Sequence, residues 1–282
     1  MGVLLVAVAL AGAWFVMRPR NGSAPIASAA LSRPTDPPVP VAAPPLPQGP
    51  FDAVRTQLEH RANAGDAQAA YRLGAVIGQC RRYQPMDDTA FARAVVGAAG
   101  LFRQLVGGSG DDDERLAIDM LLENKVRLDE LCKGTDALRR DAKAGDAARW
   151  LARAAELGDR RAMVEYADVA FEEFDDVAKM LDNAAEVARR RDRARAWLQA
   201  AREAGDTEAA FGFSKAYMRG DLYRIDRERA LAWWLAYAAE GGDPGRATAT
   251  AIERRLRNEL DSAAQARAER LATTLTMGGR MR

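Results

Sequence analysis

Histidine and cysteine are scarce in this chain, and their scarcity excludes several kinds of active site. The 282 residues include one histidine, His60, and two cysteines, Cys80 and Cys132. A single histidine cannot form a multi-histidine metal centre, and it argues against a Ser–His catalytic pair. Glycine-rich phosphate-binding motifs are missing as well. We therefore expect no metal, no cofactor and no enzymatic activity.

A surplus of positive charge is also missing. The chain has 41 Lys and Arg residues against 40 Asp and Glu residues, which gives a net charge of +1. Proteins that bind nucleic acid need basic surfaces for phosphate contacts, so nucleic acid is not among the expected partners. We interpret the acidic run at 111–114, "DDDE", as the start of a helix and not as a metal site, because carboxylates there meet the helix dipole.

Proline is nearly absent after residue 50, and this divides the chain. Ten of the 12 prolines precede residue 51, and only Pro85 and Pro244 follow it. Because proline breaks helix interiors, residues 51–282 can be helical throughout. Residues 18–50 are rich in proline and have no hydrophobic period, so we predict a disordered linker there.

The chain begins with an uncharged apolar run at residues 2–17. A helix of this length spans about 25 Å, slightly less than a bilayer core. We predict a membrane anchor over residues 1–17, and a cleaved signal peptide is the alternative. Arg18 and Arg20 favour a cytoplasmic domain, whereas the cysteines favour export. The predicted location is the bacterial inner membrane with the domain in the periplasm, and a cytoplasmic-facing domain is the alternative.

A ten-residue motif occurs three times along the chain. It reads WLARAAELGD at 150–159, WLQAAREAGD at 197–206 and WLAYAAEGGD at 234–243. Its apolar residues share one helical face, its glycine suits a helix end, and its aspartate suits the start of the next helix. The motif therefore predicts a helix, a tight turn and a second helix. The residues expected to pack these hairpins together, with the tryptophans largely buried, are Trp150, Leu151, Gly158, Trp197, Leu198, Gly205, Trp234, Leu235 and Gly242.

Two weaker copies, at 57–66 and 102–111, extend the series. A single hairpin buries only part of its apolar face, and stacking further hairpins buries the rest. We therefore predict an all-α fold over residues 51–282. Its architecture would be an α/α superhelix (solenoid) of four to five helical hairpins stacked in sequence order.

The segment AYMRGDLYRIDRERALAWWLAYAAEGGD at 216–243 resembles the Sel-one-like repeat, a relative of the tetratricopeptide repeat. The positions that match the family pattern are Tyr217, Gly220, Asp226, Ala230, Trp233, Ala238, Ala239, Gly242 and Asp243. The resemblance is close over 147–250, partial over 51–80 and weak over 81–146. It implies an α/α superhelix that serves as a scaffold for protein partners. Cysteine-rich members linked to β-lactam binding carry a cysteine pair in nearly every repeat, whereas this chain has one pair.

The two cysteines are predicted to form a disulfide. Cys80 and Cys132 each follow the second helix of a predicted hairpin, so stacking would bring both to the same end of adjacent helices. A matched pair in an exported chain favours a disulfide bond. Two unrelated thiols in a cytosolic protein are the alternative.

Taken together, these patterns predict a non-catalytic protein–protein interaction scaffold, held at the membrane by its first helix. Its partner would be a protein or peptide whose identity the sequence does not give. The alternative is an enzyme or a cell-wall-ligand (β-lactam-type) binder that acts through carboxylates in the repeat groove. A deep pocket with paired carboxylates would favour that alternative, and an open groove would favour the scaffold.

Overall fold

The computed structural model describes residues 44–105 and 111–280, and this part of the chain is all-helical, as predicted. It contains thirteen helices and no strand. None of these helices is long and apolar enough to cross a bilayer. The predicted anchor at 1–17 and most of the predicted linker lie outside the described residues. The helices are α1 Phe51–Asn63, α2 Ala67–Cys80, α3 Asp88–Leu105, α4 Asp111–Leu131, α5 Asp136–Asp141, α6 Asp146–Glu156, α7 Arg160–Val169, α8 Val177–Asp182, α9 Ala184–Glu203, α10 Glu208–Arg219, α11 Arg227–Ala239, α12 Arg246–Asn258 and α13 Ser262–Arg280.

Gly-Asp turns join the helices into hairpins, as the repeated motif predicts. Gly158 ends α6 with φ +91°, a conformation that favours glycine, and its amide hydrogen-bonds back into the helix. Asp159 then caps α7, because its carboxylate accepts the backbone N–H of Ala162 at 3.1 Å. Gly205 does the same for the turn between α9 and α10, with φ +80°.

The third strong copy of the motif is shifted by one residue. Here the positive φ belongs to Gly241 (+84°) and not to the predicted Gly242. The amide of Gly242 bonds instead to the carbonyl of Tyr237, and its Cα packs against that ring so closely that a side chain would clash. Helix α11 therefore ends one residue earlier relative to its Trp-Leu pair than α6 and α9 do.

This shift makes Trp233, and not Trp234, the equivalent of Trp197. Trp197 meets the ring of Tyr166 edge-on at 4.8 Å between centroids, and Trp233 stacks on Phe213 at 4.5 Å. Tyr166 and Phe213 hold matching positions on α7 and α10, seven residues after the turn aspartate. The contact between a tryptophan and an aromatic ring of the preceding hairpin therefore recurs in the structure. The tryptophan that makes it is offset by one position in the third copy of the sequence motif.

The predicted burial of the tryptophans is confirmed for two of the three. Trp150 is 6% exposed and Trp234 is 1% exposed. Trp197 is less buried than these two: it packs on Tyr166 of α7, and the guanidinium of Arg193 lies 5.5 Å from the centre of its ring. Leu235 is likewise half-buried, as the one-residue shift turns it away from the centre of the contact.

A leucine packs closely against a glycine at two helix contacts of the array. The side chain of Leu151 on α6 covers Gly74 on α2, and that of Leu198 on α9 covers Gly212 on α10. Both leucines are fully buried. Glycine at these positions lets two helices approach more closely than any other residue would allow.

The hairpins do not stack in sequence order, which corrects the prediction at one place. Helix α2 packs directly on α6, so the α3–α4 pair is not inserted between them. The main contact of α3 is α4, and α4 extends to α12 near the other end of the chain. Helices α3 and α4, which flank the copy at 102–111, therefore pack on each other outside the stack.

The position of α4 closes a circuit of helix contacts, in which each helix contacts the next. Helix α2 contacts α7, α7 contacts α10, α10 contacts α11, and α11 contacts α12. Helix α4 then contacts both α12 and α2. The first and last hairpins of the array are thus joined through α4.

The end of the predicted linker is ordered from Pro44 onwards. Arg61 donates hydrogen bonds to the carbonyl oxygens of Pro44 at 2.7 Å and Pro45 at 2.6 Å, and Arg72 donates to that of Pro47 at 2.5 Å. Proline carbonyls have no helical partners here, so the two guanidiniums satisfy them. The prediction of disorder up to residue 50 is therefore wrong for 44–50, which lie along the first hairpin.

Cys80 and Cys132 are paired, as predicted. Their Sγ atoms lie 2.05 Å apart and their Cα atoms 5.3 Å apart. The geometry differs from the prediction, since Cys132 follows α4 and α4 is not the next layer of the stack. The bond therefore joins the end of α2 to the end of the helix that closes the circuit.

Candidate binding cleft

Two adjoining cavities form a concave surface in the described part of the chain. One, of about 600 Å³, lies among α2, α7 and α10. The other, of about 1290 Å³, lies between α4 and the first turn of α12. Phe211 and Arg127 line both cavities, and we call the two together the cleft.

The second helices of the hairpins supply one wall of the cleft through residues at helical spacing. On α7 these are Arg161, Glu165 and Asp168, which recur every three to four residues on one face, and Glu172 follows in the turn after the helix. The opposite face of α7 carries the buried packing residues, such as Tyr166. The repeat therefore presents one polar face to the cleft while its apolar face forms the core.

Tyr71 and Glu165 form the central contact of this wall. The Tyr71 hydroxyl donates to Glu165 Oε1 at 2.6 Å, and the Arg161 guanidinium lies 4.1 Å from the centre of the tyrosine ring. Burial raises the pKa of Glu165, and the negative charge of Asp168 adds to the rise. Burial and the same hydrogen bond raise the pKa of Tyr71. Glu165 forms no ion pair with any described residue.

The carboxylate of Asp168, unlike that of Glu165, forms ion pairs with two cationic side chains. Lys215 and Arg219 of α10 both pair with its carboxylate. Burial alone would raise the pKa of Asp168, but the two positive charges lower it below its usual value. This cluster fixes α7 against α10 at one end of the cleft.

Helix α4 forms the opposite wall and presents an apolar stripe. Leu116, Leu122 and Val126 share one side of α4 and line the larger cavity. Leu122 is 42% exposed and Val126 is 68% exposed, whereas Leu116 is partly buried against Ala117 and Ala251. Phe211, half-buried on α10, lines the cavity from the facing wall.

An unusual cap holds α4 to α12. Helix α12 begins after Gly245, which has no side chain to cap it. The Glu123 carboxylate of α4 replaces the cap, accepting the backbone N–H groups of Ala247 at 2.9 Å and Thr248 at 3.2 Å. A carboxylate also suits the positive end of the helix dipole.

Small apolar contacts complete this junction. Ala117 and Ala251 are buried against each other, and Arg254 pairs with Asp113 farther along the two helices. At the other end of α4, Arg127 donates to Gln79 of α2, and the Tyr83 hydroxyl donates to Asp129 at 2.5 Å. The junction is thus mostly polar, with a small apolar centre.

The predicted repeat-packing residues belong mainly to the core and not to the cleft. Among those nine, only Leu151 lines it. His60 is exposed near the turn between α1 and α2, far in the chain from any cleft residue. Ser214 is buried and donates to the carbonyl of Ala230 at 2.8 Å, so it belongs to the core as well. The described residues contain no cluster of histidine, cysteine and carboxylate side chains able to hold a metal ion.

Sequence reasoning missed the cleft residues Tyr71, Glu165 and Phe211. Their spacing from the turn aspartates, five or six residues into each second helix, is a signal that could have found them. No protein-family model matches this chain, and no curated protein matches it. The functional inference below therefore starts from the cleft.

Proposed function

We propose that this protein is a non-catalytic interaction scaffold of the Sel-one-like type, which binds a protein or peptide partner in the cleft. The observation that carries the proposal is the cleft itself: four separate helices, α2, α4, α7 and α10, contribute side chains to one open concave surface. Such a surface suits an elongated partner better than a small molecule.

The polar groups of the cleft favour recognition over catalysis. Glu165 is held by Tyr71, and Asp168 is held by Lys215 and Arg219. Groups fixed in this way orient a partner. General acid–base catalysis would instead need side chains free to transfer a proton to or from the reacting groups of a substrate.

A second candidate function rests on Glu165 alone. A partly buried carboxyl with a raised pKa is a common feature of catalytic sites and of sites that bind ligands through carboxylates. The cell-wall-ligand binder predicted as the alternative would use this group. A Glu165→Gln variant would then lose all binding or turnover of such a ligand, whereas a scaffold would keep much of its affinity for a large partner.

Photo-crosslinking tests the scaffold proposal directly. We would place a photoreactive amino acid at Phe211 in the full-length chain and irradiate living cells. The expected result is a discrete adduct with one protein. The matched control carries the same amino acid at Leu271, an exposed position on α13. Identical adduct patterns at both positions, or no adduct at Phe211, would contradict the proposal.

We further propose that the domain lies in the periplasm, attached to the inner membrane. The Cys80–Cys132 pair supports this location, because disulfides persist in oxidising compartments. A cysteine introduced at the exposed Lys179 provides the test. A maleimide that crosses the outer but not the inner membrane should label it in cells, and protection from that reagent would favour the cytoplasmic alternative.

A further inference from the structure

The cleft has an apolar side that nothing in the described chain covers. Leu122 and Val126 project from α4 into a cavity of about 1290 Å³, and Phe211 lies on the facing wall. A space this large far exceeds the voids left by ordinary side-chain packing. Exposed apolar side chains gathered around such a space are typical of a binding surface.

The cleft is also acidic, although the chain as a whole is nearly neutral. Seven acidic and four basic residues line its two cavities, with Arg127 shared between them. This gives a surplus of three negative charges, compared with +1 for the whole chain. Both cavities contribute to the surplus, since each is lined by one more acidic than basic residue when Arg127 is counted in both.

Two of the four basic residues pair with carboxylates, Lys215 with Asp168 and Arg161 with Asp159. Arg127 hydrogen-bonds to the neutral Gln79, and Arg246 forms no ion pair with any described residue.

Among the described residues, neither Glu165 nor Glu208 forms an ion pair; each accepts only one tyrosine hydroxyl, from Tyr71 and Tyr237 respectively. Asp119 on α4 makes no side-chain contact of either kind. The uncompensated charge of the cleft is therefore negative.

We infer that the cleft binds a basic peptide that carries a large apolar side chain. This inference rests on the proposed scaffold function and names the chemistry of its partner. The apolar side chain would lie between Phe211 and the α4 stripe of Leu122 and Val126. Lys or Arg side chains on either side of it would reach Glu165 and Glu208.

Because Glu165 is buried, the affinity for such a peptide should depend on pH. A cation from the peptide that pairs directly with Glu165 would add to the positive charge that Lys215 and Arg161 already place near it, so binding should favour its ionised form. Affinity should therefore fall as the pH falls through the raised pKa of Glu165. The charged or titratable groups around this carboxyl are Tyr71 from α2, Arg161 and Asp168 from α7, and Lys215 from α10.

Fluorescence anisotropy with the full-length chain tests the inference. The probe is a labelled peptide, Gly-Lys-Lys-Leu-Phe-Leu-Lys-Lys-Gly. Two matched peptides replace either all four lysines by glutamate or the Leu-Phe-Leu centre by serines. We expect the basic apolar probe to bind at least ten times more tightly than either of the two.

Substitutions in the cleft test whether the probe binds there. Glu165→Gln combined with Glu208→Gln should weaken the probe at least tenfold, and Phe211→Ala should do the same. The matched control, Glu130→Gln combined with Glu203→Gln, removes two exposed carboxylates outside the cleft lining and should change the affinity less than twofold. Circular dichroism confirms that each variant is folded, and Glu165→Gln alone should reduce the pH dependence of binding.

The possible results separate this inference from the proposed function. Equal binding of the acidic peptide, or equal losses in the cleft and control variants, would overturn the inference. Failure of the probe to bind, together with a partner adduct at Phe211 in cells, would overturn the inference but leave the scaffold function standing. Failure of both would overturn both. Self-association that buries Phe211 would show a second copy in the cleft and would also overturn the inference.

Discussion

Leu151 of α6 lies directly over Gly74 of α2. A Cβ atom at residue 74 would come within 2.6 Å of Leu151 Cγ and 2.8 Å of the Leu151 backbone nitrogen. A flexible side-chain end could move aside, but a backbone atom inside a helix cannot. The contact between the first hairpin and α6 therefore depends on the absence of a side chain at this one position.

Gly74→Ala should destabilise the domain, although alanine normally favours a helix. The gain in helix propensity is about 1 kcal/mol, and overpacking of this kind costs roughly 1–3 kcal/mol. We expect a net loss in the free energy of unfolding measured by urea denaturation. Gly78→Ala on the same helix is the control, because its nearest neighbour would be a methyl group of Val169 at 3.2 Å. A loss at Gly78 that equals or exceeds the loss at Gly74 would contradict this explanation.

Loss of the Cys80–Cys132 bond should lower stability by about 2–4 kcal/mol, since the bond closes a long loop in the unfolded chain. Urea denaturation with and without reductant measures the difference. Replacing both cysteines by serine should reproduce the reduced state and abolish any further effect of reductant. If the oxidised and reduced proteins unfold at the same urea concentration, the bond does not stabilise the domain.

Glu123→Ala should weaken the first turn of α12. The variant removes the carboxylate that accepts the amides of Ala247 and Thr248, and lost helix caps typically cost about 1 kcal/mol. Hydrogen exchange at these two amides should accelerate. Glu130→Ala, which removes an exposed charge from the same helix, should leave both exchange rates unchanged. Unchanged exchange in the Glu123 variant would show that the cap is not formed in solution.

Two carboxyls of α7 should respond to pH with opposite signs. The pKa of Glu165 is raised, so its contribution to stability is present at low pH and is lost as the pH rises through that pKa. Glu165→Gln should therefore gain stability relative to the parent between pH 4 and pH 7. The pKa of Asp168 is lowered, so its contribution is present at neutral pH and is lost as the pH falls through its folded-state pKa.

Asp168→Asn should accordingly cost most at neutral pH and least in acid. Thermal unfolding of the parent and both variants across this range gives the two slopes. Slopes of the same sign for both variants would mean that the environments of the two carboxyls have been misassigned.

Trp197 and Trp234 hold the same position in the sequence motif, but replacing them by alanine should lower stability by different amounts. Trp234→Ala removes a ring that is 1% exposed and should cost roughly 3–5 kcal/mol. Trp197→Ala removes a half-buried ring and should cost clearly less. Chemical denaturation of both variants tests the order, and equal losses would argue against the shift in register at α11. Trp234→Phe offers a further check, because the indole N–H of Trp234 has no hydrogen-bond partner among the described residues.

The local structure of the hairpins could be predicted from the sequence because their chemistry is local. A glycine that accepts positive φ and an aspartate three residues before the amide it caps lie within one short stretch of chain. The same reasoning failed at α11, where two consecutive tryptophans and two consecutive glycines make the letters agree in more than one register. In the structure the positive φ lies at Gly241, and Trp233 therefore makes the contact with Phe213.

The path of α3–α4 and the cleft could not be predicted in this way. The turn at 102–111 matches the other turns in its residues, but the position of α4 depends on contacts with α12, such as that of Ala117 with Ala251. The central contact of the cleft joins Tyr71 to Glu165, which are 94 residues apart. Such pairings depend on how the hairpins stack, and a single sequence carries no direct signal of them.

The contact of α4 with both α2 and α12 also affects how the domain unfolds. In a linear array each hairpin is supported only by its neighbours, so the terminal hairpins can fray while the middle stays intact. Here the two termini share one helix, and a disulfide fastens that helix to α2. Loss of either terminus would remove support from the other, so melting should proceed in a single cooperative step and not hairpin by hairpin.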